Sequence, residues 1–164
     1  IADTDNVEVV YDRLMMLGGD LVLKTVDAIL EGNVKTTPQE ELAQVEELRP
    51  APKIFKETCR IDWTQGVKKV YDFVRGLSPY PAAWTEICQE GQAPVMLKIF
   101  ETEKQFGAHT AQIGSIDTDK KTYFRIATTD GYLNIRSLQL AGKKRMEVAD
   151  FLRGYRFDDT TYVK

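Results

Sequence analysis

The residues best suited to covalent or metal chemistry are few and scattered in this chain of 164 residues. Cys59 and Cys88 lie in apolar surroundings without a second thiol at the spacing of a metal knuckle or a redox pair. This pattern predicts two free thiols in a reducing compartment, the cytoplasm. His109, the single histidine, follows Phe-Gly-Ala with no Ser or Cys elbow before it. Because nucleophilic catalysis needs a nucleophile beside a base, we predict no catalytic residue and no metal site.

The densest group of cations lies near the end of the chain, in the stretch Ala-Gly-Lys-Lys-Arg at 141–145. Lysine and arginine attract phosphates and release counterions, and a glycine-containing turn adds backbone donors. Lys143, Lys144 and Arg145 are therefore candidates for nucleic-acid binding, and a solvated turn is the alternative. Five cations expected on a polar helix face or on strand faces are further candidates, each with a plain surface role as its alternative: Lys68, Arg75, Lys98, Arg125 and Arg136.

Charge is distributed unevenly along the chain, whose net charge is −3. Residues 1–52 carry 4 basic and 11 acidic side chains, and residues 53–164 carry 18 basic and 14 acidic ones. A basic part joined to an acidic one suggests that the second part meets a polyanion, with ordinary surface variation as the alternative.

The first part of the chain is expected to form one long amphipathic helix over about 6–30. Val10, Leu14, Leu17 and Leu21 recur at helical spacing, and Gly32-Asn33 is typical of a helix end. One helix cannot bury its own apolar stripe, so the stripe needs a partner surface or a second chain. No apolar run approaches about 20 residues, so we expect no membrane span.

An acidic, proline-bracketed stretch separates this helix from the rest. We predict a helical segment at 1–35, a linker at 36–52 and a domain at 53–164. Within the domain, Thr64 is expected to cap a helix that ends at Ser-Pro-Tyr-Pro, 78–81.

Beyond the prolines the hydrophobic period changes to two. Five strands are predicted, followed by a closing helix at about 147–155; the strands are 83–87, 95–101, 111–116, 122–128 and 132–140. A change of parity in the last strand indicates a bulge near Arg136 and Ser137. The fold class predicted is α+β, mainly β: a small, partly open oligonucleotide-binding-like barrel of about five strands with flanking helices, preceded by one long helix and a linker.

Three stretches resemble the C-terminal portion of the methionyl-tRNA formyltransferase family. They are Arg-Ile-Asp-Trp at 60–63, Val-Arg-Gly-Leu-Ser-Pro-Tyr-Pro-Ala-Ala-Trp-Thr at 74–85 and Ser-Leu-Gln-Leu-Ala-Gly-Lys-Lys-Arg-Met at 137–146. Their order and spacing match the family, and the first helix resembles the last helix of its catalytic domain. Two residues depart from the family pattern, since Ala82 stands where glycine is common and Leu140 where proline is frequent.

The resemblance implies an enzyme that transfers a formyl group from 10-formyltetrahydrofolate to the amino group of methionine on initiator methionyl-tRNA. The family does this chemistry with an Asn-His-Asp set in an N-terminal domain, which by the match lies upstream of Ile1. The chain would then supply non-specific tRNA binding and be inactive alone. Two alternatives stay open: a free-standing oligonucleotide-binding-like module for RNA or DNA, and the C-terminal barrel of a related folate-linked formyltransferase acting on a sugar nucleotide.

Overall fold

The computed structural model describes residues 1–42, 50–158 and 160–164. The chain forms two compact units, one of residues 1–8 with 55–164 and one of residues 9–54. Part of the predicted linker, 43–49, lies outside the described residues. The helices are α1 (Val7–Leu30), α2 (Gln39–Leu42), a 3₁₀ turn (Glu57–Cys59), α3 (Val67–Leu77) and α4 (Val148–Gly154). The strands are β1 (Ala83–Cys88), β2 (Val95–Phe106), β3 (Ile116–Thr118), β4 (Phe124–Ala127), β5 (Gly131–Leu140), β6 (Met146–Glu147) and β7 (Tyr162–Val163).

Helix α1 confirms the predicted first helix and runs without a break through Gly18 and Gly19. It ends where expected: Gly32 has a φ of 70°, and the Asn33 amide donates to the Ala28 carbonyl at 2.9 Å. Its apolar side chains lie on the surface, with about two thirds of Leu17 exposed. Within the described residues, no helix is both long enough and apolar enough to cross a membrane.

The domain is built on one antiparallel sheet of order β3-β4-β5-β2-β1-β7, with β6 paired to β5. Its two ends meet, because Ser115 bridges Tyr162 and the Val163 amide donates to the Gly114 carbonyl at 3.0 Å. Gly114 has a φ of 80°, and a Cβ there would lie 2.6 Å from the Val163 carbonyl oxygen. The sheet is therefore nearly closed, which confirms the predicted barrel.

Strand boundaries account for most of the differences from the sequence prediction. The strand predicted at 111–116 is wrong, since β3 begins only at Ile116; β2 continues beyond the predicted end to Phe106. Among the described residues the sheet has seven strands rather than about five, because β6 and β7 are two-residue strands that carry no period of their own. The alternating apolar pattern of β2 predicts that Val95 faces inward with Leu97 and Ile99, but Val95 is 38% exposed at the end of its strand.

The predicted bulge is present and has a counterpart on the facing strand. Ile99 pairs with Leu138, Glu101 with Ser137 and Thr102 with Ile135. Phe100 on β2 and Arg136 on β5 are thus each left without a partner in the ladder. As a result, the inward-facing positions of β2 change from odd to even numbers past Phe100.

Helix α3 buries its apolar side chains on the barrel, at Val67, Val70, Val74 and Leu77. The expected capping role of Thr64 is wrong, since Gly66 is the N-cap residue and carries no capping side chain. The Asp130 carboxylate in the β4–β5 turn instead accepts from the Val67 amide at 2.6 Å. After α3 the chain turns at Ala82, whose φ of 74° explains why glycine suits this position.

Candidate nucleic-acid interface

The cationic stretch forms the turn between β5 and β6. The Lys143 amide donates to the Leu140 carbonyl at 3.0 Å, and Gly142 has a φ of 75°, as expected for a tight turn. The Ala141 amide donates to the Met96 carbonyl of β2 at 2.9 Å, which fixes the turn against the neighbouring strand. Both lysine side chains are exposed and, among the residues that the structure describes, neither has an ion-pair partner.

The register of the sheet places Lys98 beside this turn, which could not be predicted from the sequence. Lys98 on β2 is paired with Gln139 on β5, so both side chains project from the same face of the sheet. The Gln139 amide nitrogen donates to the Lys143 carbonyl at 2.7 Å. Lys98 also has no ion-pair partner within the described parts of the chain. Three lysines of the predicted set thus meet at one end of the barrel: Lys98, Lys143 and Lys144.

Two carboxylates on the neighbouring strands β1 and β2 are engaged by arginines. Glu86, paired with Met96 across β1 and β2, accepts from Arg60 at 3.0 Å. Glu101, further along β2, is bound by Arg145. Because each of these two carboxylates already has an arginine partner, neither is paired with the three lysines.

Arg145 differs from its two lysine neighbours in the turn. Its guanidinium lies 4.6 Å from the centre of the Phe100 ring, and its Nε donates to Ser137 Oγ at 2.8 Å. Together with the contact to Glu101, these interactions tie the turn to the bulged region of β2 and β5. Arg145 positions the turn, and the adjacent lysines present the charge.

Lys68 and Arg75 lie on one face of α3, as predicted, with Asp72 between them. Lys68 contacts Asp72 at 2.6 Å, and Arg75 contacts Asp72 at 2.7 Å. Both cations also reach the first residues of the chain: Lys68 lies 3.4 Å from Asp3, and Arg75 donates to the Asp5 carbonyl at 2.7 Å. Lys68 and Arg75 therefore connect α3 to the first residues of the chain.

Residues 2–5 are held by further contacts from the same side of the domain. The Tyr71 hydroxyl donates to the Asp3 carbonyl at 3.1 Å, and Lys104 on β2 binds the Asp3 carboxylate. The hydrogen bond from Lys104 lowers the pKa of Asp3. We call this surface of Lys68, Tyr71, Arg75 and Lys104 the α3 anchor.

Arg125 and Arg136 lie on the outer face of the sheet and are also paired. Arg125 donates to Asp117 through two nitrogens, at 2.8 and 2.6 Å, and to Gln105 at 3.0 Å. Arg136 contacts Glu103 at 2.5 Å, and this hydrogen bond lowers the pKa of the Glu103 carboxyl. Neither arginine is brought to the β5–β6 turn.

Sequence reasoning missed the aromatic side chain beside Lys98. Trp84 on β1 is paired with Lys98 and, through its indole nitrogen, donates to the Lys56 carbonyl at 2.8 Å. Arg60 and Lys56 lie over its ring, at 5.2 and 5.9 Å from the ring centre. The half-buried ring packs against the core on one side and carries cations on the other.

The residues first considered for covalent chemistry are embedded in the fold. Cys59 and Cys88 are free thiols and are buried. His109 Nε2 lies 2.8 Å from the Thr128 carbonyl and 3.1 Å from the Gly131 carbonyl, so this nitrogen is the protonated donor. In the described part of the chain, no group of three or more His, Cys, Asp or Glu residues is arranged to hold a metal ion.

A comparison with protein families identifies the class to which the domain belongs. Residues 53–156 match the family model for the formyl transferase C-terminal domain, and the chain belongs to that family.

Three curated relatives that match all or nearly all of this chain are named methionyl-tRNA formyltransferase. Methionyl-tRNA formyltransferase from Phocaeicola vulgatus is 67% identical over 165 residues, covering 100% of this chain and 51% of the relative. The proteins of that name from Parabacteroides distasonis and Porphyromonas gingivalis are 57% and 40% identical, over 95% and 94% of this chain and 48% of each relative. The chain thus spans about half the length of these relatives.

Solved structures show the same fold at lower identity. HypX from Aquifex aeolicus in complex with tetrahydrofolic acid aligns with a TM-score of 0.54 and 20% identity, covering 87% of this chain and 26% of that chain. A variant of the same protein gives a TM-score of 0.53 at 22% identity, over 85% of this chain and 24% of that chain.

Proposed function

We propose that this chain is the tRNA-holding half of a methionyl-tRNA formyltransferase. One relative of that name is 67% identical over the whole chain and is about twice as long. The proposed reaction of the whole enzyme is transfer of a formyl group from 10-formyltetrahydrofolate to the amino group of initiator methionyl-tRNA. From the family resemblance we expect the folate site and the Asn-His-Asp set to lie outside these residues.

The observation that carries the proposal is the meeting of Lys98, Lys143 and Lys144 at one end of the barrel. These side chains have no carboxylate partner among the described residues, while Glu86 and Glu101 beside them are already paired with arginines. Cations of this kind attract phosphates regardless of sequence, and binding releases counterions. Non-specific attachment of the tRNA backbone is the function that this arrangement supports best.

Binding to initiator tRNA tests the proposal directly. The wild-type chain is titrated with the tRNA over a range of salt concentrations, next to K98A/K143A/K144A. A matched control, K24A/K35A/K121A, removes the same charge at exposed lysines elsewhere. We expect affinity to fall with salt, the slope of log K against log salt to become shallower by about 2 to 3 in the first variant, and the control to behave as the wild type.

Three results would contradict the proposal: absent binding, binding insensitive to salt, or equal losses in the two triple variants. The last result would mean that only total charge matters.

A separate assay tests the proposed lack of activity. The isolated chain is incubated with 10-formyltetrahydrofolate and methionyl-tRNA, and we expect no formylated product. His109 is the only imidazole in the chain, and both carbonyl oxygens that it contacts belong to the barrel itself. Product above background would show that the chemistry is carried by these residues.

The exposed stripe of α1 supports one further part of the proposal. Leu14, Leu17 and Leu21 are each more than half exposed, which is a large apolar surface for one helix. We propose that the isolated chain self-associates through it, and sedimentation at increasing concentration, with L14D/L21D for comparison, tests this. A monomer at all concentrations would contradict self-association without affecting tRNA binding.

A further inference from the structure

A shallow groove lies between β2 and the β5–β6 turn, and Lys98 forms part of its lining. Its volume is about 180 Å³, and it is lined by Met96, Lys98, Gln139, Leu140, Ala141 and Gly142. Small-molecule sites are typically about 300–1,000 Å³, so this groove suits a single planar ring rather than a whole cofactor.

The lining of the groove combines apolar and polar side chains. Met96 and Leu140 contribute apolar atoms, which add nothing to the binding of a phosphate but provide a surface against which a flat ring packs. Gln139 contributes an amide, and Lys98 contributes the cation beside it. Unpaired bases are bound in proteins by packing against flat or apolar side chains, while hydrogen bonds read their edges.

The orientation of the Gln139 amide is fixed by the turn. One hydrogen on its nitrogen is directed to the Lys143 carbonyl at 2.7 Å, which also identifies the other atom of the amide as the oxygen. Among the described residues, the second N–H and the oxygen have no hydrogen-bond partner, and the residue lines the groove. One donor beside one acceptor matches the N7 and N6 positions of adenine, the base that glutamine reads with two hydrogen bonds.

We propose that this groove binds an unpaired adenine of RNA, with the adjoining phosphates held by Lys98 and Lys143. The proposal rests on the proposed tRNA binding and adds a base-reading site to it. The neighbouring cations keep the strand in place, and Gln139 selects the base. The turn is pinned to β2 through the Ala141 amide, so the groove exists before the ligand arrives.

The test compares three RNA hairpins with closely matched numbers of phosphates: one fully paired, one with a single bulged adenine and one with a single bulged uridine. Affinities are measured at one fixed salt concentration for the wild type, Q139L, A141L and the control Q92L. Gln92 is an exposed residue of the β1–β2 loop and is not among the residues that line the groove. We expect the wild type and Q92L to bind the bulged-adenine hairpin about fivefold or more tighter than the other two.

Q139L is expected to bind all three hairpins with the affinity that the wild type has for the paired one. Because this change also removes the hydrogen bond to Lys143, A141L provides a second variant that narrows the groove and leaves Gln139 in place. It should show the same loss of preference, while the salt dependence of both variants stays that of the wild type.

The outcomes separate this inference from the proposed function. Equal, salt-dependent affinity of the wild type for the three hairpins overturns the adenine site and leaves the phosphate-binding function standing. A preference for adenine that survives in both Q139L and A141L also overturns it. Absence of all binding overturns both proposals together.

Discussion

Two surfaces of this domain are equally rich in cations, yet they differ in what those cations contact. At the β5–β6 turn, Lys143 and Lys144 extend from the fold without a carboxylate partner among the described residues. At the α3 anchor, the cations bind Asp72, Asp3 and the carbonyls of the chain's first residues. The comparison teaches that the number of cations on a surface says little about anion binding until their partners are known.

Charge reversal on each surface should give the largest contrast. K143E/K144E is expected to lower affinity for initiator tRNA on the order of 100-fold at low salt, because two phosphate contacts become repulsive. K68E/K104E makes the same change in charge at the α3 anchor and should lower it less than about threefold, since those cations face Asp3 and Asp72. Filter binding at one salt concentration measures both, and equal losses would abolish the distinction between the surfaces.

Removal of the Arg75 side chain should lower the stability of the fold and leave the affinity for tRNA nearly unchanged. Its guanidinium donates to two backbone carbonyls, those of Ala2 at 3.2 Å and Asp5 at 2.7 Å. We expect R75A to reduce the free energy of unfolding by about 1–2 kcal/mol in urea denaturation. Affinity for tRNA should remain within about twofold of the wild type; a larger loss would indicate that Arg75 contacts the nucleic acid.

A change at the N-terminal cap of α3 tests whether the two surfaces are independent of each other. Asp130→Ala removes the acceptor for the Val67 amide and should cost about 1 kcal/mol of stability. Its effect should be confined to α3, so amide hydrogen exchange is expected to accelerate at the start of the helix and to be unchanged in the β5–β6 turn. Faster exchange in the turn would mean that the two surfaces are coupled.

The smallest expected effect is a dependence on pH of the contact between Asp3 and Lys104 in the α3 anchor. The pKa of Asp3 is lowered by its hydrogen bond with Lys104, so the bond contributes fully above the ordinary pKa of a carboxyl, about 3.9. Its contribution is lost as the pH falls through the lowered value in the folded protein. Exchange of the amides at 2–8 should therefore become faster under acid conditions relative to D3N, in which no such change is expected. Identical pH profiles would contradict this assignment.

The parts of the fold that depend on local pattern could be predicted from the sequence. Helix α1, helix α3 and the four longer strands follow the apolar period of their own residues. Strand β3 was misplaced because residues 111–116 carry a favourable pattern but lie mostly outside the sheet, which pairs only Ile116 and the two residues after it. The cap of α3 was missed since its acceptor, Asp130, is distant in sequence from the helix start.

The candidate site was predictable only in part, for a similar reason. A run of cations at 143–145 is visible in the sequence, but the separate role of Arg145 depends on Glu101 and Phe100, which come from another strand. Nothing in the sequence separates Lys98 from Lys68 as a candidate for phosphate binding. In the structure, the register of β2 places Lys98 beside the turn, whereas Lys68 contacts Asp3.

The paired irregularity at Phe100 and Arg136 has a consequence for how this barrel can vary in length. Past Phe100, even-numbered residues of β2 face inward, which places Lys104 beneath α3 and leaves Glu101 and Glu103 outside with their arginines. A single inserted residue on β2 alone would exchange these two sets, burying carboxylates and expelling the lysine that holds Asp3. An insertion or deletion in β2 therefore needs a matching change in β5 if the same side chains are to keep facing inward.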